Sequence, residues 1–329
     1  MDASLRWHDV MATGPPPDLV DRFAADLGAL IAKDVRLGVA VSGGPDSLAL
    51  LLLAFAARPN RVEVATVDHG LRSESAVEAE MVADACAQLG VPHRTLVADW
   101  PEAPTTNLQA EARAMRYRLL NEWAIEQGLA AIATAHHADD QAETLLMRLM
   151  RGAGVGGLGA TRARRPLSEQ VMLVRPLLGW RKAELVGLVT GAGLDPVDDP
   201  SNRDPRHDRS RIRSLLDNAD WADPARMAAS ASALRDADEA LDWALAPLIG
   251  SRIRQDGGGL VIEPFDLPRE LKRRLLLAAF AELAAPPPRG PDAMRALDAL
   301  ERGETVTLSG LKLEGGSRWR LSLEQPRRS

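Results

Sequence analysis

Along the first two thirds of the chain, short β-branched apolar runs alternate with longer segments whose apolar positions recur at helical spacing. Val35 to Val41 is short, apolar and β-branched, as a buried strand requires, and Asp46 to Ala57 has the length and Leu/Ala content of a helix. The same order repeats: strand-like VEVATV, helix-like ESAVEAEMVADACAQLG, strand-like HRTLVA, a helix from about Leu108 to Gln127, strand-like LAAIATA, and a helix from about Asp140 to Met150. This alternation predicts an α/β domain with a parallel sheet and helices on both faces. Ligands of such sheets sit at the carboxyl ends of the strands, which puts three polar strings on one rim: SGGPDS, DHGLR and HHADDQAET. Beyond about Asp220 the pattern changes. PARMAASASALRDADEALDWALAPLIG and the basic-edged PRELKRRLLLAAFAELA read as helices; APPPRGP breaks the chain before another helix and the strand-like TVTLSG, LKLEG and RWRLSLE. The expectation is a first domain at 1–219 and a smaller α+β domain at 220–329.

Composition narrows the class. The chain has 329 residues, long enough for a large α/β core and a second domain, with the apolar and charged fractions of a globular protein. The start, MDASLRWHDVMATGPPPD, lacks a signal peptide's basic and apolar regions, and LALLLLAFAA is too short to span a bilayer, so no membrane association and a cytoplasmic location are expected. The single cysteine, Cys86, excludes an intramolecular disulfide and a CxxC metal site. A formal charge of −6 argues mildly against nucleic acid. Yet RLMRGAGVGGLGATRARRP and PRHDRSRIR gather arginines, either as solvated faces or as local phosphate-binding surfaces.

The candidate chemistry starts at SGGPDS, a strand-to-helix turn. Such a turn aims free backbone N–H groups and the positive helix end at one point, and glycine admits an anion close to the backbone. No lysine follows the glycines as a Walker loop demands, so transfer of a γ-phosphate is poorly served. In HHADDQAET, Asp139 or Asp140 suits an N-cap with Glu143 closing a capping box, while the cluster as a whole suits Mg²⁺ or a cationic nucleophile; His136 and His137 read equally as structural. Arg113, Arg116 and Tyr117 share one helix face, placing an arginine at a phosphate or on a surface ion pair. Gly152, Gly154 and Gly157 formally match GxGxxG, but after a helix rather than a strand; the reading is a loop that closes over a large substrate or simply connects.

SGGPDS resembles the SGGxDS pyrophosphate loop of the N-type ATP pyrophosphatases. Together with VDHGLR, EARAMRY, TAHHADDQAETLLMRLMRGAGVGGLGAT, RPLLGWRKAEL and DDPSNRDPRHDRSRIRSLL, in this order, it resembles the tRNA(Ile)-lysidine synthetase family from about Val35 to Leu216. RSRIR departs from the family's more usual RNRIR at Ser210. The resemblance implies the PP-loop fold and a two-step reaction. ATP adenylates O2 of the wobble cytidine in an isoleucine tRNA with a CAU anticodon; the ε-amine of free L-lysine then attacks C2, giving lysidine, AMP and pyrophosphate, and codon specificity moves from AUG to AUA. It implies Ser42, Gly43, Gly44, Pro45, Asp46 and Ser47, with Asp68 and His69, around ATP; Asp46 and Asp140 at Mg²⁺; Asp139, Asp140 and Glu143 at the lysine; and Arg162, Arg164 and Arg165 at the RNA. Asp46, Asp140, Arg113 and the Arg209/Arg211 pair are the catalytic candidates. By the same resemblance the C-terminal domain grips tRNA or only stabilises, a homodimer is admitted, and the further C-terminal domain of longer relatives is not expected here. The rivals are a tRNA thiolase, which needs sulfur-carrying cysteines that one helical cysteine does not supply, another PP-loop tRNA-modifying or amidating enzyme, and a non-catalytic ATP- and tRNA-binding module.

Overall fold

In the computed structural model of the chain, residues 14–70, 74–100, 108–194, 208–219 and 221–324 are described. Leu71 and Arg72 of the DHGLR string and Arg206 of the second basic string lie outside them. LGVA becomes β1 (Leu37–Ala40), buried at every position as the centre of a doubly covered parallel sheet must be. The strand is shorter than the apolar run, although the Val41 amide still bonds Ala65 O at 2.9 Å. The helix α2 (Pro45–Ala57) begins on Pro45, whose fixed φ and missing N–H suit a first helical position, and is buried from Ser47 to Ala54.

Four further strands join parallel or by crossover: β2 (Val62–Asp68), β3 (His93–Val97), β4 (Ala131–Ala133) and β6 (Met172–Val174), with a short edge strand β5 (Arg164–Pro166). The order is β3-β2-β1-β4-β6-β5, and every pairing is parallel except β5 on β6. The expected parallel sheet therefore carries one antiparallel edge. β1 lies between β2 and β4, so the strand order reverses there and a crevice opens beyond the carboxyl ends of β1 and β4. SGGPDS and HHADD flank that crevice.

Side chains from successive residues of β1 and β4 enter opposite cores. Leu37, Val39, Ala131 and Ala133 pack with α1 (Pro17–Gly28), α2, α3 (Glu74–Leu89) and α7 (Lys182–Gly191), where Phe23, Leu27, Cys86 and Trp180 are buried. Ala40 and Ile132 pack on the other face against Leu120, Trp123 and Ala124 of α4 (Leu108–Gln127). The remaining helices of this part are α5 (Ala138–Met150) and α8 (Asp208–Asp217), while the short α6 (Val155–Leu158) falls across the division between the two units.

Residues 153–156 and 234–329 form a second compact unit, and the division falls within α9 (Pro224–Arg252). It contains β7 (Ile253–Asp256), β8 (Gly259–Ile262), α10 (Arg269–Glu282), α11 (Gly290–Glu301), β9 (Thr305–Leu308), β10 (Leu311–Glu314) and β11 (Trp319–Leu323) in an antiparallel sheet ordered β7-β8-β11-β10-β9. The β7–β8 hairpin adds two strands to those expected; Gly257 and Gly258, at φ 56° and 86°, make its tight turn. Leu260, Leu275, Phe280, Leu297, Trp319 and Leu321 fill the core. Arg274 is buried against Asp238, Asp242 and Glu270. No helix among the described residues is long and apolar enough to cross a membrane.

One close approach is testable. A Cβ on Gly38 would lie 2.8 Å from Cζ3 of Trp123, so β1 and α4 meet only because residue 38 has no side chain. Gly38→Ala should cost about 2 kcal/mol in urea unfolding, as overpacking of a tight core does. An unchanged midpoint would mean that Trp123 can withdraw.

Candidate active site

The phosphate side of the crevice is a backbone cradle. Gly43 holds φ +83°, a left-handed conformation that disfavours any side chain, and Gly44 is the N-cap of α2 without a side-chain cap. Ser47 Oγ donates to Gly44 O at 2.9 Å and accepts from Ser42 N at 3.1 Å, closing the turn on itself. The amides of Gly43, Gly44 and Asp46 are left without an acceptor among the described residues, at the positive end of an apolar buried helix. Such a geometry suits an anion. Pro45 contributes no donor and sets the helix start.

Opposite it, His137 is the N-cap of α5, and its reciprocal partner is Asp140. Neither Asp139 nor Asp140 caps the helix and Glu143 does not close the box, because α5 starts at Ala138, whose amide is bonded to Trp180 O at 2.8 Å. His137 N–H donates to Asp140 Oδ2 at 3.1 Å. The ring is buried, with Nε2 3.5 Å from Asp46 Oδ2 and Nδ1 3.6 Å from Asp139 Oδ2. Burial opposes a charge on it, but hydrogen bonding to Asp139 and Asp46 and the field of Asp140 prevail and push its pKa up to about 10. The Asp140 amide, 3.4 Å from Nδ1, can donate there only when the ring is neutral.

Each carboxylate of the cluster is engaged differently. Asp139 accepts from the Lys182 amide at 2.8 Å and faces Arg181, tying α5 to the start of α7; against the effect of burial, His137, that amide and Arg181 hold its carboxyl well below the usual range. Asp140 Oδ1 accepts from Arg209 Nη2 at 2.5 Å. Burial would raise the Asp140 pKa, but the charges of His137 and Arg209 lower it. Glu143 is buried and accepts from Arg209 Nε and Arg213 Nε, both at 2.6 Å. Burial disfavours the Arg209 charge, yet Asp140 and Glu143 raise its pKa further. Arg209 thus pairs inward with Arg213, one helical turn on, and not with Arg211. Arg211 lies on the opposite side of α8, exposed, 3.7 Å from Asp208. Arg213 is missed by the sequence reading, though the i, i+4 spacing of DRSRIR contains it.

The other candidates spread around the rim. Asp68 Oδ1 accepts from Gly70 N at 2.8 Å and Ser75 Oγ at 2.6 Å, shaping the turn after β2, and those bonds lower its pKa. His69 O accepts from Trp100 Nε1 at 2.8 Å. Arg113 stacks on Tyr117 from α4 with 5.1 Å to the ring centre, and Arg165 reaches the same ring from β5 at 4.8 Å. Arg164 is exposed on the other face of β5, and Arg162 O accepts from Arg175. His136 is kept neutral; burial, with Arg175, Arg116 and Arg113, outweighs Asp140 and lowers its pKa to about 3. Beside Asp139 and Glu143 a cleft of about 860 Å³ opens between Arg181, Arg213, Trp221 and Asp223.

As to a metal, Asp46 Oδ1 is buried and has no hydrogen-bond partner. Among the described residues no group of three His, Cys, Asp or Glu forms a protein-only cage. A single free carboxylate oxygen beside a phosphate cradle fits Mg²⁺, which binds through one or two carboxylates and substrate phosphates.

An open parallel sheet with a lysine-free glycine turn at its switch point and a carboxylate cluster on the neighbouring strand defines a PP-loop nucleotide-binding protein. The PP-loop domain family matches residues 19–219. The U34-tRNA thiolase NcsA from Methanococcus maripaludis, with its [4Fe-4S] cluster, shares the fold at TM-score 0.55 and 20% identity, covering 68% of this chain and 78% of that one. The tRNA(Ile)-lysidine synthase of Novosphingobium aromaticivorans is 49% identical over 94% of this chain and 94% of its own length, and that of Zymomonas mobilis 43% identical over 89% and 90%. The chain belongs to the tRNA(Ile)-lysidine synthase family.

Glu143 supplies a test of the site's frame. Glu143→Gln leaves Arg213 facing an amide in a buried position, so unfolding free energy should fall by about 3 kcal/mol, in the range seen when one partner of a buried ion pair is removed. Urea denaturation followed by tryptophan fluorescence reads this. A loss under about 1 kcal/mol would mean that α8 is held by other contacts.

Proposed function

We propose that the chain makes lysidine: it adenylates O2 of the wobble cytidine in the CAU anticodon of tRNA(Ile) with ATP, then joins the ε-amine of free L-lysine to C2, changing the codon read from AUG to AUA. The observation that carries this reading is the pairing of the backbone-amide cradle at Gly43, Gly44 and Asp46 with the His137–Asp140 cluster across one crevice, in a chain of this family. In the first step O2 attacks the α-phosphorus and pyrophosphate leaves. The three amides and the α2 dipole receive the departing charge. Asp46 is the residue that would hold Mg²⁺, which when bound neutralises phosphate charge. In the second step the amine attacks C2 and AMP leaves. Asp140 orients the amine, with Glu143 and Arg209 fixing Asp140 in place. The base enters unstacked, since C2 of a stacked cytosine is poorly accessible. The reaction takes place in the cytoplasm, by a monomer or a homodimer, and the C-terminal unit grips the tRNA away from its anticodon.

Sulfur transfer, the activity named for the M. maripaludis protein, has no support here. The chain's only cysteine, Cys86, is buried, and burial pushes its thiol pKa up to about 12, leaving no nucleophilic thiolate.

Incubation of the protein with ATP, labelled lysine and tRNA, each omitted in turn, should give label in RNA only when all are present. Asp46→Ala should reduce pyrophosphate release at least about a hundredfold while leaving the far-UV spectrum intact, because it removes the oxygen assigned to the metal. Near-normal release would remove Asp46 from the mechanism.

A second substitution separates the half-reactions. Asp140→Asn should slow lysine transfer more than adenylation in rapid-quench assays, since the amide no longer attracts an ammonium. Equal slowing would reassign Asp140 to ATP or the metal.

A further inference from the structure

The arginines of this domain differ in their partners, and some, such as Arg58 and Arg148, bond backbone carbonyls. Arg181, Arg209 and Arg213 meet carboxylates. Arg113, Arg116, Arg165 and Arg175 are gathered near Tyr117, and among the described residues none of the four has a carboxylate partner. Arg175, at the end of β6, is 2% exposed. It donates to Arg162 O at 2.6 Å and lies within the field of the Tyr117 phenol, yet its Nε is buried and has no partner. Burying a guanidinium among like charges is costly without an anion.

The layout indicates which anion. The cluster follows neighbouring strands, from His136 beyond β4, through Arg175 beyond β6, to Arg165 on the edge strand β5. At about 4.8 Å per strand it spans ~10 Å, and Arg165 stands ~14 Å across the sheet from β1, whose loop cradles the pyrophosphate. An anion at the edge is therefore separate from the nucleotide's tail, and a track open at a sheet edge suits a polymer of phosphates. Period-2 alternation on β5 sends Arg165 to Tyr117 and leaves Arg164 outside.

We propose that Arg113, Arg165 and Arg175, assembled on Tyr117, are the seat of the RNA phosphodiester adjoining the base that reacts, distinct from the loop that takes the pyrophosphate of ATP. Arg175 lies beside the phenol, whose proton donates to a phosphate oxygen, and the two stacked guanidiniums supply charge-assisted bonds. Tyr117 thus both positions Arg113 and Arg165 with its ring and binds the phosphate with its hydroxyl. The inference rests on the RNA-modifying reading above.

The test uses the full chain and an anticodon stem–loop RNA with a CAU anticodon, binding being followed by fluorescence anisotropy across a salt series without lysine. Arg165→Ala should weaken binding about tenfold and lower the salt slope by about one phosphate contact. Tyr117→Phe, which keeps the ring, should weaken it about threefold with the slope unchanged, as loss of one neutral hydrogen bond would. Arg118→Ala removes the same charge from the exposed side of α4, where it faces Glu122, and should change affinity less than twofold. ATP affinity should stay constant in all three. Equal effects of Arg165→Ala and Arg118→Ala would overturn the seat, as would lost ATP affinity with RNA affinity intact. If Arg165 governs RNA binding but no lysidine forms, the proposed reaction fails and the seat stands; lysidine formation with RNA binding indifferent to Arg165 overturns the seat alone.

Discussion

Asp139, Asp140 and Glu143 lie within the first two turns of α5, and like charges at i, i+3 and i, i+4 repel. Burying them at a strand end requires counter-charge, and the meeting of this requirement arranges the crevice. The start of α7 answers Asp139 with an amide and Arg181; α8 answers Asp140 and Glu143 with Arg209 and Arg213; His137 stands between the cluster and Asp46 on α2. Removing one member leaves another buried and unmatched, so the cluster behaves as a joint between helices as well as a site.

That joint explains why bulk charge misleads. The chain is acidic, at −6, but the cluster carboxylates are already matched within the domain. Among the groups left unmatched are the backbone amides of the glycine turn and the arginines on Tyr117, and both attract anions. What a ligand meets is the residue of internal pairing, not the sum over the sequence.

The alternation of elements was legible because β1, β4 and α2 are buried on all sides and their apolar runs admit little else. The rim followed from topology alone. Which atoms remain free was not legible, since that depends on pairings distant in sequence. Glu143 suited a capping box locally and instead binds arginines 66 and 70 residues away. Arg213 stands in plain helical register with Arg209, whereas Arg211, nearer in sequence, turns to the opposite side of the helix. Arg175 carried no signal, as nothing in RPLLGW distinguishes an exposed arginine from one buried against the carbonyl of Arg162.

The same pairing bears on the proposed second step. An ε-ammonium must be attracted to carboxylates and must also lose a proton before it can attack. Asp140 Oδ1 is already occupied by Arg209, and a guanidinium keeps its proton at any physiological pH. An amine that approaches Asp140 therefore meets a fixed cation beside the anion that draws it in. In the proposed reaction the carboxylate would bring the lysine to the site, while Arg209 and the charged His137 would lower the pKa of an ammonium there and favour the neutral amine. Attraction and activation would then come from one ion-pair network, and the contact that fastens α8 to the domain is the one that would ready the nucleophile.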